Sequence, residues 1–437
     1  MRTILVVSHA HPDFSKGGGE VAAYNAYNGF REAYPDCDVR FLAAVNSGVL
    51  PGKIVQYREN EYLLGGCVED PRLLRNGHTQ VLAASIKDFF NNYEPELVNF
   101  HHYFNIGTDA IIHMRRILPK AQFVMTLHEF LAICMNDGQM IKRGSTSLCK
   151  EANEFLCGKC FPEHELSFFA KRKNTFMSIF ALFDKFISPS DFLRDRYVAW
   201  GLPLEKFAVI ENGQADAKHA LVADSGVETS TVDIFADDRE DIDASSHFPA
   251  TFGYFGQINP YKGLDILLMA LQQLVRDEYT DLVVEINGAN IETQTGEFRD
   301  RIKKLADPLL EAGVLRWNGP YERTELEVRM RRADWLVIPS IWWENSPMII
   351  QEAYIHKLPV IASSIGGMAE KVKHGVTGIH VTPGAVTEWA DILRKASKAK
   401  NLHHRLKSGI ELPPDCKQMA LDYMAFCNST PETVSTN

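Results

Sequence analysis

Residues 251–271 read TFGYFGQINPYKGLDILLMAL and give the clearest indication of the fold class. The apolar and aromatic run TFGYFG is typical of a buried strand, and a short loop with Lys262 leads from it into an apolar helical run. A continuous apolar strand followed by a helix predicts a βα unit of a parallel sheet. Open α/β sheets bind ligands at the carboxyl ends of their strands, so Lys262 is a candidate binding residue.

The same alternation continues on both sides of this stretch. Six strand-like runs precede it: TILVVS (3–8), VRFLAAV (39–45), LVNFHH (97–102), FVMTLH (123–128), KFISPS (185–190) and FAVIEN (207–212). Five more follow it: LVVEIN (282–287), VLRWNG (314–319), WLVIPS (335–340), PVIASS (359–364) and GIHVT (378–382). Amphipathic runs such as 20–34 and 78–93 lie between them. The sequence therefore predicts an α/β fold with doubly wound parallel sheets.

The chain length and one polar segment divide this pattern into two domains. A chain of 437 residues is too long for a single compact core. Residues 214–249 are acidic and polar with little periodicity, as in a linker or surface insertion. We predict an N-terminal domain over 1–213, the linker over 214–249 and a second domain over 250–418. Residues 419–437 are predicted to form a short terminal helix, around 421–427, and a disordered tail.

Composition restricts the partners and the location. The net charge of −10 makes the chain a poor nucleic-acid binder. The N-terminus lacks a signal-peptide layout, and no segment offers the roughly 20 apolar residues of a membrane span. The expected location is cytoplasmic. The basic and aromatic stretch 168–186 either rests on the inner face of an anionic membrane, as a peripheral contact, or forms a helix packed on its own domain.

Four of the eight cysteines cluster in the sequence, at Cys134, Cys149, Cys157 and Cys160. In a cytoplasmic chain such clustering indicates metal or redox chemistry rather than a disulfide framework. A structural zinc site at these four residues is one expectation. Only one CxxC pair is present, so redox chemistry and reduced, partly buried thiols stay open as alternatives.

Residues 341–352, IWWENSPMIIQE, place two carboxylates eight positions apart. Ser346 is a good N-cap and Pro347 suits the first helical position. Glu344 would then lie in the loop before the helix, and Glu352 in its second turn. A helix N-terminus favours anions, so a carboxylate beside it suggests a ligand with hydroxyls as well as phosphate. The alternative is a solvated loop acid and an ordinary surface glutamate.

Three further stretches fall at predicted strand ends. In SKGGGEVAAY (15–24), Gly18 and Gly19 would let a ligand approach the backbone near a helix start. In TLHEF (126–130), His128 ends a predicted strand. SSIGGMAEKV (363–372) places a glycine pair between a strand and a helix. Ordinary tight turns and a structural histidine are the alternatives.

Taken together, these stretches resemble the family-four retaining glycosyltransferases, also called group 1 glycosyltransferases. The family's two glutamates separated by seven residues match Glu344 and Glu352, and its Lys-Gly element matches Lys262 and the next residue. Its Asn-Gly before the linker matches 212–213, and its GG-x-x-E matches 366–370. The resemblance implies the GT-B architecture, in which two Rossmann-like domains face a cleft.

The resemblance also implies roles and partners. Glu352 would hold the donor's ribose hydroxyls, Lys262 would neutralise the diphosphate, and Glu344, Asn345 and Ser346 would contact the transferred sugar. His128 would lie beside that sugar, and Gly18 and Gly19 would contact phosphate or acceptor. The implied activity is retaining, metal-independent hexosyl transfer from a UDP- or GDP-linked sugar to a glycan or lipid-linked acceptor, in surface polysaccharide synthesis. No cofactor is implied.

One position departs from the family. Five residues before Lys262 the family usually carries an arginine, and this chain has Gln257. Glutamine can donate a hydrogen bond to the donor's phosphate but cannot neutralise its charge. A working enzyme is the leading expectation. A catalytically silent sugar-nucleotide binding protein and a GT-B-fold sugar-nucleotide epimerase are the alternatives.

Overall fold

The computed structural model describes residues 3–15, 17–219 and 249–429. The chain forms two compact units, one of residues 1–215 with 414–437 and one of residues 216–413. Most of the predicted acidic linker (220–248) and the end of the predicted tail (430–437) lie outside the described residues.

The first unit is built on one eight-stranded sheet and a small hairpin. Its strands are β1 (Thr3–Ser8), β2 (Asp38–Val45), β3 (Ile54–Arg58), β4 (Glu61–Gly65), β5 (Val68–Asp70), β6 (Arg75–Asn76), β7 (Leu97–Phe100), β8 (Gln122–Thr126), β9 (Lys185–Ser188) and β10 (Phe207–Val209). The sheet order is β10-β9-β8-β7-β1-β2-β4-β3, and β5 pairs with β6. All the pairs in the large sheet are parallel except the edge pair β3–β4.

Six helices connect these strands, and short 3-10 turns lie at Leu204–Lys206 and Ala215–His219. The helices are α1 (Gly18–Ala33), α2 (Thr79–Phe90), α3 (Thr108–Ile117), α4 (Glu154–Cys160), α5 (Leu166–Phe180) and α6 (Asp191–Trp200). Helix α5 buries Phe169, Phe176 and Phe180 against its own unit, which is the packed alternative for the basic stretch. No helix in the described ranges is long and apolar enough to cross a membrane.

The second unit is a smaller doubly wound sheet. Its strands are β11 (Ala250–Gln257), β12 (Leu282–Ala289), β13 (Leu315–Trp317), β14 (Trp335–Ile338), β15 (Val360–Ser363) and β16 (Gly378–Val381). The sheet order is β13-β12-β11-β14-β15-β16, and every pair is parallel. Its helices are α7 (Leu264–Arg276), α8 (Gly296–Glu311), α9 (Arg323–Met330), α10 (Met348–Ile355), α11 (Gly366–Lys371), α12 (Val386–Ala396) and α13 (Lys400–Ser408).

The last helix, α14 (Cys416–Asn428), belongs to the first unit rather than to the second. Its Met419, Ala420 and Tyr423 are buried in one core with residues of α1. A side chain at Gly29 of α1 would meet the carbonyl oxygen of Cys416 at 2.0 Å, so only glycine permits this close approach. The expected terminal helix around 421–427 is therefore longer than predicted, and it packs into the N-terminal core.

Candidate functional site

In both sheets the strand order reverses beside the first strand, and this is where α/β sheets bind ligands. In the second sheet the reversal lies between β11 and β14, which pair through Phe252 and Trp335. Lys262 follows β11, and the segment from Ser340 to Glu344 follows β14. The topology therefore brings together two elements that lie about 80 residues apart in the sequence.

Lys262 and Glu344 form an ion pair at this position, with 2.6 Å between the lysine Nζ and the glutamate Oε1. The same Oε1 accepts hydrogen bonds from the indole N–H of Trp342 at 2.7 Å and from the hydroxyl of Ser340 at 3.0 Å. The Trp342 ring stacks on Tyr261 with 5.8 Å between centroids. These three contacts all reach Oε1, so Oε2 is the oxygen left to accept a hydrogen bond from a ligand hydroxyl.

Glu344 is ionised although it is buried, with only 8% of its surface exposed. Burial opposes ionisation, but the charge and hydrogen bond of Lys262, with the Trp342 and Ser340 hydrogen bonds, lower the pKa of Glu344 below its ordinary value. A lysine ammonium has three N–H donors, so Lys262 can hold Glu344 and still donate to a ligand phosphate.

Gly263 permits the turn that carries Lys262 into α7. It adopts a left-handed conformation with φ of +69°, and a side chain there would meet the carbonyl oxygen of Pro339 at 1.9 Å. The requirement for glycine after Lys262 is therefore structural, because this turn packs against the end of β14.

The loop before α10 differs from the sequence prediction at its cap. Helix α10 begins at Met348 and Pro347 is its N-cap, so the prediction of Ser346 as N-cap with Pro347 inside the helix was wrong. The carbonyl oxygen of Pro347 accepts a hydrogen bond from the Ile350 N–H. Pro347 is therefore the N-cap residue, one position later than the predicted Ser346. The Ser346 hydroxyl oxygen is buried and has no hydrogen-bond partner in the described part of the chain. A buried hydroxyl without a partner at a helix start suits a polar ligand.

The glycine pair after β15 contacts this loop. The N–H of Gly367 donates to the Glu344 carbonyl oxygen at 2.6 Å, and a side chain there would meet the Asn345 carbonyl oxygen at 1.8 Å. Gly366 and Gly367 are the first two residues of α11, so the glycine pair lies inside the helix rather than between the strand and the helix, and Glu370 lies in the second turn. The GG-x-x-E element therefore supports the Glu344–Asn345 backbone.

Glu352 lies in the second turn of α10, as predicted. Its Oε1 is 3.8 Å from an Arg323 guanidinium nitrogen, and Arg323 also pairs with Asp216 at 3.0 Å. Burial raises the pKa of Glu352, and the Arg323 charge only partly offsets this. A carboxyl group of this kind gains hydrogen bonds when ligand hydroxyls bind beside it.

Gln257 is the last residue of β11 and its side chain is exposed. The hydrogen bond at this position uses its carbonyl oxygen, which accepts from the Tyr254 hydroxyl at 3.0 Å. The side chain is therefore placed at the strand end but adds no charge there.

The first sheet reverses between β1 and β7, and histidines follow the strands at this point. His9 comes just after β1, His101 and His102 follow β7, and His128 follows β8. The rings of His9 and His102 lie 4.5 Å apart, and those of His101 and His128 lie 5.3 Å apart and nearly parallel. The prediction placed His128 at a strand end, and the structure adds three more histidines to the same edge.

Three of these histidines, His101, His102 and His128, are neutral at ordinary pH. Burial, with the charge of His9, lowers the pKa of His128 to about 3. Burial and the neighbouring histidines lower the pKa of His101 and of His102 well below the ordinary value. These three rings can therefore donate and accept hydrogen bonds without carrying a positive charge.

The glycine turn at 17–19 begins α1, with Gly17 as N-cap and Gly18 and Gly19 as the first two helical residues. Burial opposes ionisation of Glu20, but His9, through a hydrogen bond and its charge, and Ser15 lower the pKa of Glu20 to about 2. An ionised carboxylate at the helix start repels a second anion. This arrangement favours a hydroxyl ligand over phosphate beside Gly18 and Gly19.

Glu129, next to His128, is a second unusual acid. Its Oε1 accepts a hydrogen bond from the buried Tyr103 hydroxyl at 3.0 Å and lies 3.3 Å from His102 Nε2. Burial raises the pKa of Glu129 to about 7, although the Leu131 N–H, Tyr103 and the charge of Arg172 lower it. Glu129 therefore titrates close to neutral pH.

The four clustered cysteines lie in and after the long connection from β8 to α4. Cys157 and Cys160 are on α4, and all four are half-buried thiols that form no disulfide within the described residues. Burial and the charges of Cys134, Cys149 and Cys160 raise the pKa of Cys157 to about 11, so the four thiols are near enough to interact. Within the described ranges, no three His, Cys, Asp or Glu side chains are arranged to hold a metal ion. The zinc site stays a prediction.

Sequence reasoning found Lys262, Glu344 and Glu352 but missed several of their partners. Trp342 and Ser340 lie within four residues of Glu344. The local sequence does not indicate that their side chains donate hydrogen bonds to the Glu344 carboxylate. Arg323 carries no local signal, because it meets Glu352 only through the fold. His101 could have been found by the strand-end rule used for His128, since the run LVNFHH was predicted as a strand and the structure ends it at Phe100.

Comparison with known proteins matches most of the chain to two descriptions. "Glycosyl transferases group 1" matches residues 238–411, and "Glycosyltransferase Family 4" matches residues 16–215. The D-inositol 3-phosphate glycosyltransferase of Actinosynnema mirum is 30% identical over 160 residues, which are 35% of this chain and 37% of that protein. Its counterpart from Streptomyces bingchenggensis is 32% identical over 159 residues, 36% of this chain and 34% of that protein. The chain thus spans about a third of the length of these relatives.

Solved structures are similar over nearly the whole chain. Anabaena HepE in complex with UDP has a TM-score of 0.62 at 18% identity and covers 98% of this chain and 100% of that one. Sucrose-phosphate synthase from Thermosynechococcus elongatus has a TM-score of 0.66 at 16% identity and covers 97% and 98% of the two chains. At these identities the likeness shows the fold alone. The predicted GT-B architecture of two parallel-sheet α/β domains is confirmed.

Proposed function

This chain belongs to the group 1 glycosyltransferase family, and we propose that it transfers a hexose from a UDP- or GDP-linked sugar to a glycan or lipid-linked acceptor. The proposed transfer retains the anomeric configuration, needs no bound metal and serves surface polysaccharide synthesis. The observation that carries this proposal is the Lys262–Glu344 pair at the strand reversal of the second sheet.

The donor's diphosphate is the group that gains negative charge as the glycosidic bond breaks. Lys262 would donate to a phosphate oxygen while it stays paired with Glu344, which supplies positive charge at the leaving group. Glu344 Oε2 would accept a hydrogen bond from a sugar hydroxyl, and the Ser346 hydroxyl would donate one to the sugar or accept one from it, with Asn345 beside them. Glu352 would hold the ribose hydroxyls.

The proposed reaction forms one bond and breaks one bond on the same face of the sugar. The acceptor oxygen bonds to the anomeric carbon as the bond from that carbon to the phosphate oxygen breaks. The acceptor proton passes to the departing phosphate oxygen, so no protein base is needed. The low pKa of His128 agrees with this, because a ring that stays neutral serves as a hydrogen-bond partner of the sugar rather than as a charged acid.

Donor binding is the first step to test. The purified full chain would be melted with UDP, GDP, ADP and their sugar conjugates in EDTA, and UDP and UDP-glucose come first because HepE is seen with both. A ligand at 100 times its Kd stabilises the fold by about 2.7 kcal/mol, which a thermal shift detects. The Lys262→Ala variant should lose most of the shift, whereas Lys303→Ala, an exposed lysine on α8, should keep it.

Transfer is then measured with the nucleotide that binds, and the product's anomeric configuration is read by NMR. An inverted product would overturn retention, and activity that EDTA abolishes would overturn metal independence. No shift with any nucleotide at millimolar concentration would reject the donor site.

Gln257 supports a second candidate, a catalytically silent sugar-nucleotide binding protein. Its exposed, uncharged side chain ends β11 where the family usually has arginine. Under this candidate the wild type binds a nucleotide but transfers nothing, and Gln257→Arg gains transfer. Under the leading proposal the wild type is active, and Gln257→Arg only lowers the donor KM.

A further inference from the structure

Two neutral histidines contact each other at the carboxyl edge of the first sheet. His101 and His128 follow the neighbouring parallel strands β7 and β8, and His101 Nδ1 lies 3.1 Å from His128 Nε2. The backbone under the pair is fixed, because the His101 N–H donates to the Val7 carbonyl oxygen at 2.8 Å. The Asn99 amide also donates to the Thr126 hydroxyl at 3.0 Å and links the two strands. The geometry of the two rings is therefore set by the sheet.

The environment of His101 indicates which ring donates. His101 is fully buried, and its ring stacks on Tyr423 of α14 with 6.1 Å between centroids. Its other nitrogen, Nε2, is buried and has no hydrogen-bond partner in the described residues. A proton on Nε2 would leave an N–H group without a partner in the core, which is destabilising and rarer than an unused acceptor. The proton of His101 therefore belongs on Nδ1, and it points at His128 Nε2.

The adjacent histidine shows the opposite arrangement. His102 Nδ1 accepts the backbone N–H groups of Tyr103 at 2.8 Å and of Phe104 at 2.9 Å. Its proton must then be on Nε2, which faces the Glu129 carboxyl group at 3.3 Å. Two successive histidines are thus held in different tautomers by their surroundings, so a tautomer at this edge is set by local contacts.

We propose that His101 is a positioning residue that donates from Nδ1 to His128 Nε2 and so holds His128 in the tautomer with its proton on Nδ1. His128 then presents a neutral N–H donor to its ligand and has its other nitrogen occupied. The consequence for catalysis rests on the proposed function, in which His128 contacts the transferred sugar. Without His101, His128 can exchange its proton between the two nitrogens, and part of the population presents an acceptor where a donor is needed.

The tautomer is tested directly by NMR of the ¹⁵N-labelled full chain. Long-range ¹H–¹⁵N correlation distinguishes protonated from unprotonated imidazole nitrogens, and His128→Gln and His101→Gln assign the two rings. We expect a protonated Nδ1 and an unprotonated Nε2 in both rings of the wild type. A protonated Nε2 on His128 would overturn the proposal. This measurement needs no activity, so it stands apart from the test of the proposed function.

The catalytic consequence is tested with two variants and one control. We expect His101→Leu to mix the His128 tautomers and lower kcat roughly tenfold, the effect of about one hydrogen bond, with donor KM changed less than twofold. His101→Asn can place its amide N–H toward His128 and should recover part of kcat and of the wild-type spectrum. His404→Leu, at an exposed histidine on α13, should change neither. Unchanged kcat in a folded His101→Leu would overturn the positioning role.

Discussion

At the carboxyl edge of the second sheet, Lys262 and Glu344 form an ion pair with 2.6 Å between Nζ and Oε1. The same edge of the first sheet holds two neutral histidines, with 3.1 Å between His101 Nδ1 and His128 Nε2. Both edges lie where the strand order reverses beside the first strand. The two strand reversals therefore have the same topology but different side chains. The second unit has an ion pair there, and the first unit has a pair of neutral histidines.

The difference follows the chemistry that each unit would handle. A diphosphate leaving group gains negative charge and needs a fixed cation, which is costly to bury unless it is paired. Sugar and acceptor hydroxyls stay neutral and need oriented donors and acceptors. The ionised Glu20 at the start of α1 adds to this contrast, because it makes the first unit's helix start unsuitable for a phosphate.

The largest expected effect comes from removing the cation. Lys262→Ala should lower kcat by about 10²–10³-fold, because in the proposed function it removes the charge that would stabilise the leaving group. It also leaves the buried Glu344 carboxylate without its counter-charge, at a cost of about 3–5 kcal/mol in the free energy of unfolding. Steady-state kinetics and chemical denaturation measure the two effects.

A double variant separates stability from catalysis in this experiment. Lys262→Met with Glu344→Gln removes both charges and should regain much of the lost stability while kcat stays low. Recovery of kcat along with stability would mean that Lys262 acts only through the fold.

A smaller effect is expected at Glu352, whose carboxyl group is proposed to contact the neutral ribose hydroxyls of the donor. Glu352→Gln should weaken donor binding by roughly 10–100-fold, the range of a hydrogen bond to a charged group, and change kcat less. Isothermal titration with the nucleotide that binds measures the affinity. The exposed Glu311→Gln on α8 is the matched control.

The apo protein gives a second readout for Glu352. Because burial raises its folded pKa, the stability linked to this group is fully present below the unfolded pKa and is lost as pH rises through the folded pKa. Glu352→Gln should therefore become more stable relative to wild type as the pH rises. A constant difference in melting temperature across pH would contradict this.

A third prediction concerns Glu129, an acid of the first unit that titrates near neutrality. Burial raises the pKa of Glu129 to about 7, from an unfolded value near 4.5. The folded state then binds more protons than the unfolded state between these values, so wild-type stability should fall as pH rises from about 4.5 to 7. Each unit of difference is worth about 1.4 kcal/mol, reduced here because Glu129 is partly exposed. Glu129→Gln should flatten this part of the curve, and the exposed Glu205→Gln should not.

How far the sequence predicts the molecule differs between the two edges. The βα rhythm and the strand-end rule predicted Lys262, Glu344 and His128, because these residues follow apolar runs whose direction the fold fixes. The partners Arg323 and Tyr423 could not be predicted, since each reaches its site from an element whose position only packing determines. The edge strand β3 was missed because it exposes polar residues such as Gln56 and Arg58 and so lacks a continuous apolar pattern. The apolar pattern of 421–427 predicted a terminal helix. It could not predict that α14 packs against α1, because an apolar face does not identify its partner.

The smallest effect on transfer is expected from the four clustered cysteines. They lie in the first unit but are part of neither the Lys262–Glu344 pair nor the His101–His128 pair. The connection from β8 to α4 spans residues 127–153 with only an isolated bridge between Ile141 and Leu148, and so long a connection benefits from a cross-link. If zinc binds the four thiols, metal analysis should find one zinc per chain, and a chelator should lower the melting temperature. Cys157→Ser should then lose the metal and stability but keep kcat and donor KM within about twofold, because the Lys262–Glu344 pair is untouched. A metal-free wild type whose melting temperature does not change in chelator would reject zinc binding. A large loss of kcat in a folded Cys157→Ser would instead show that the cysteine region influences the His101–His128 edge of the first sheet.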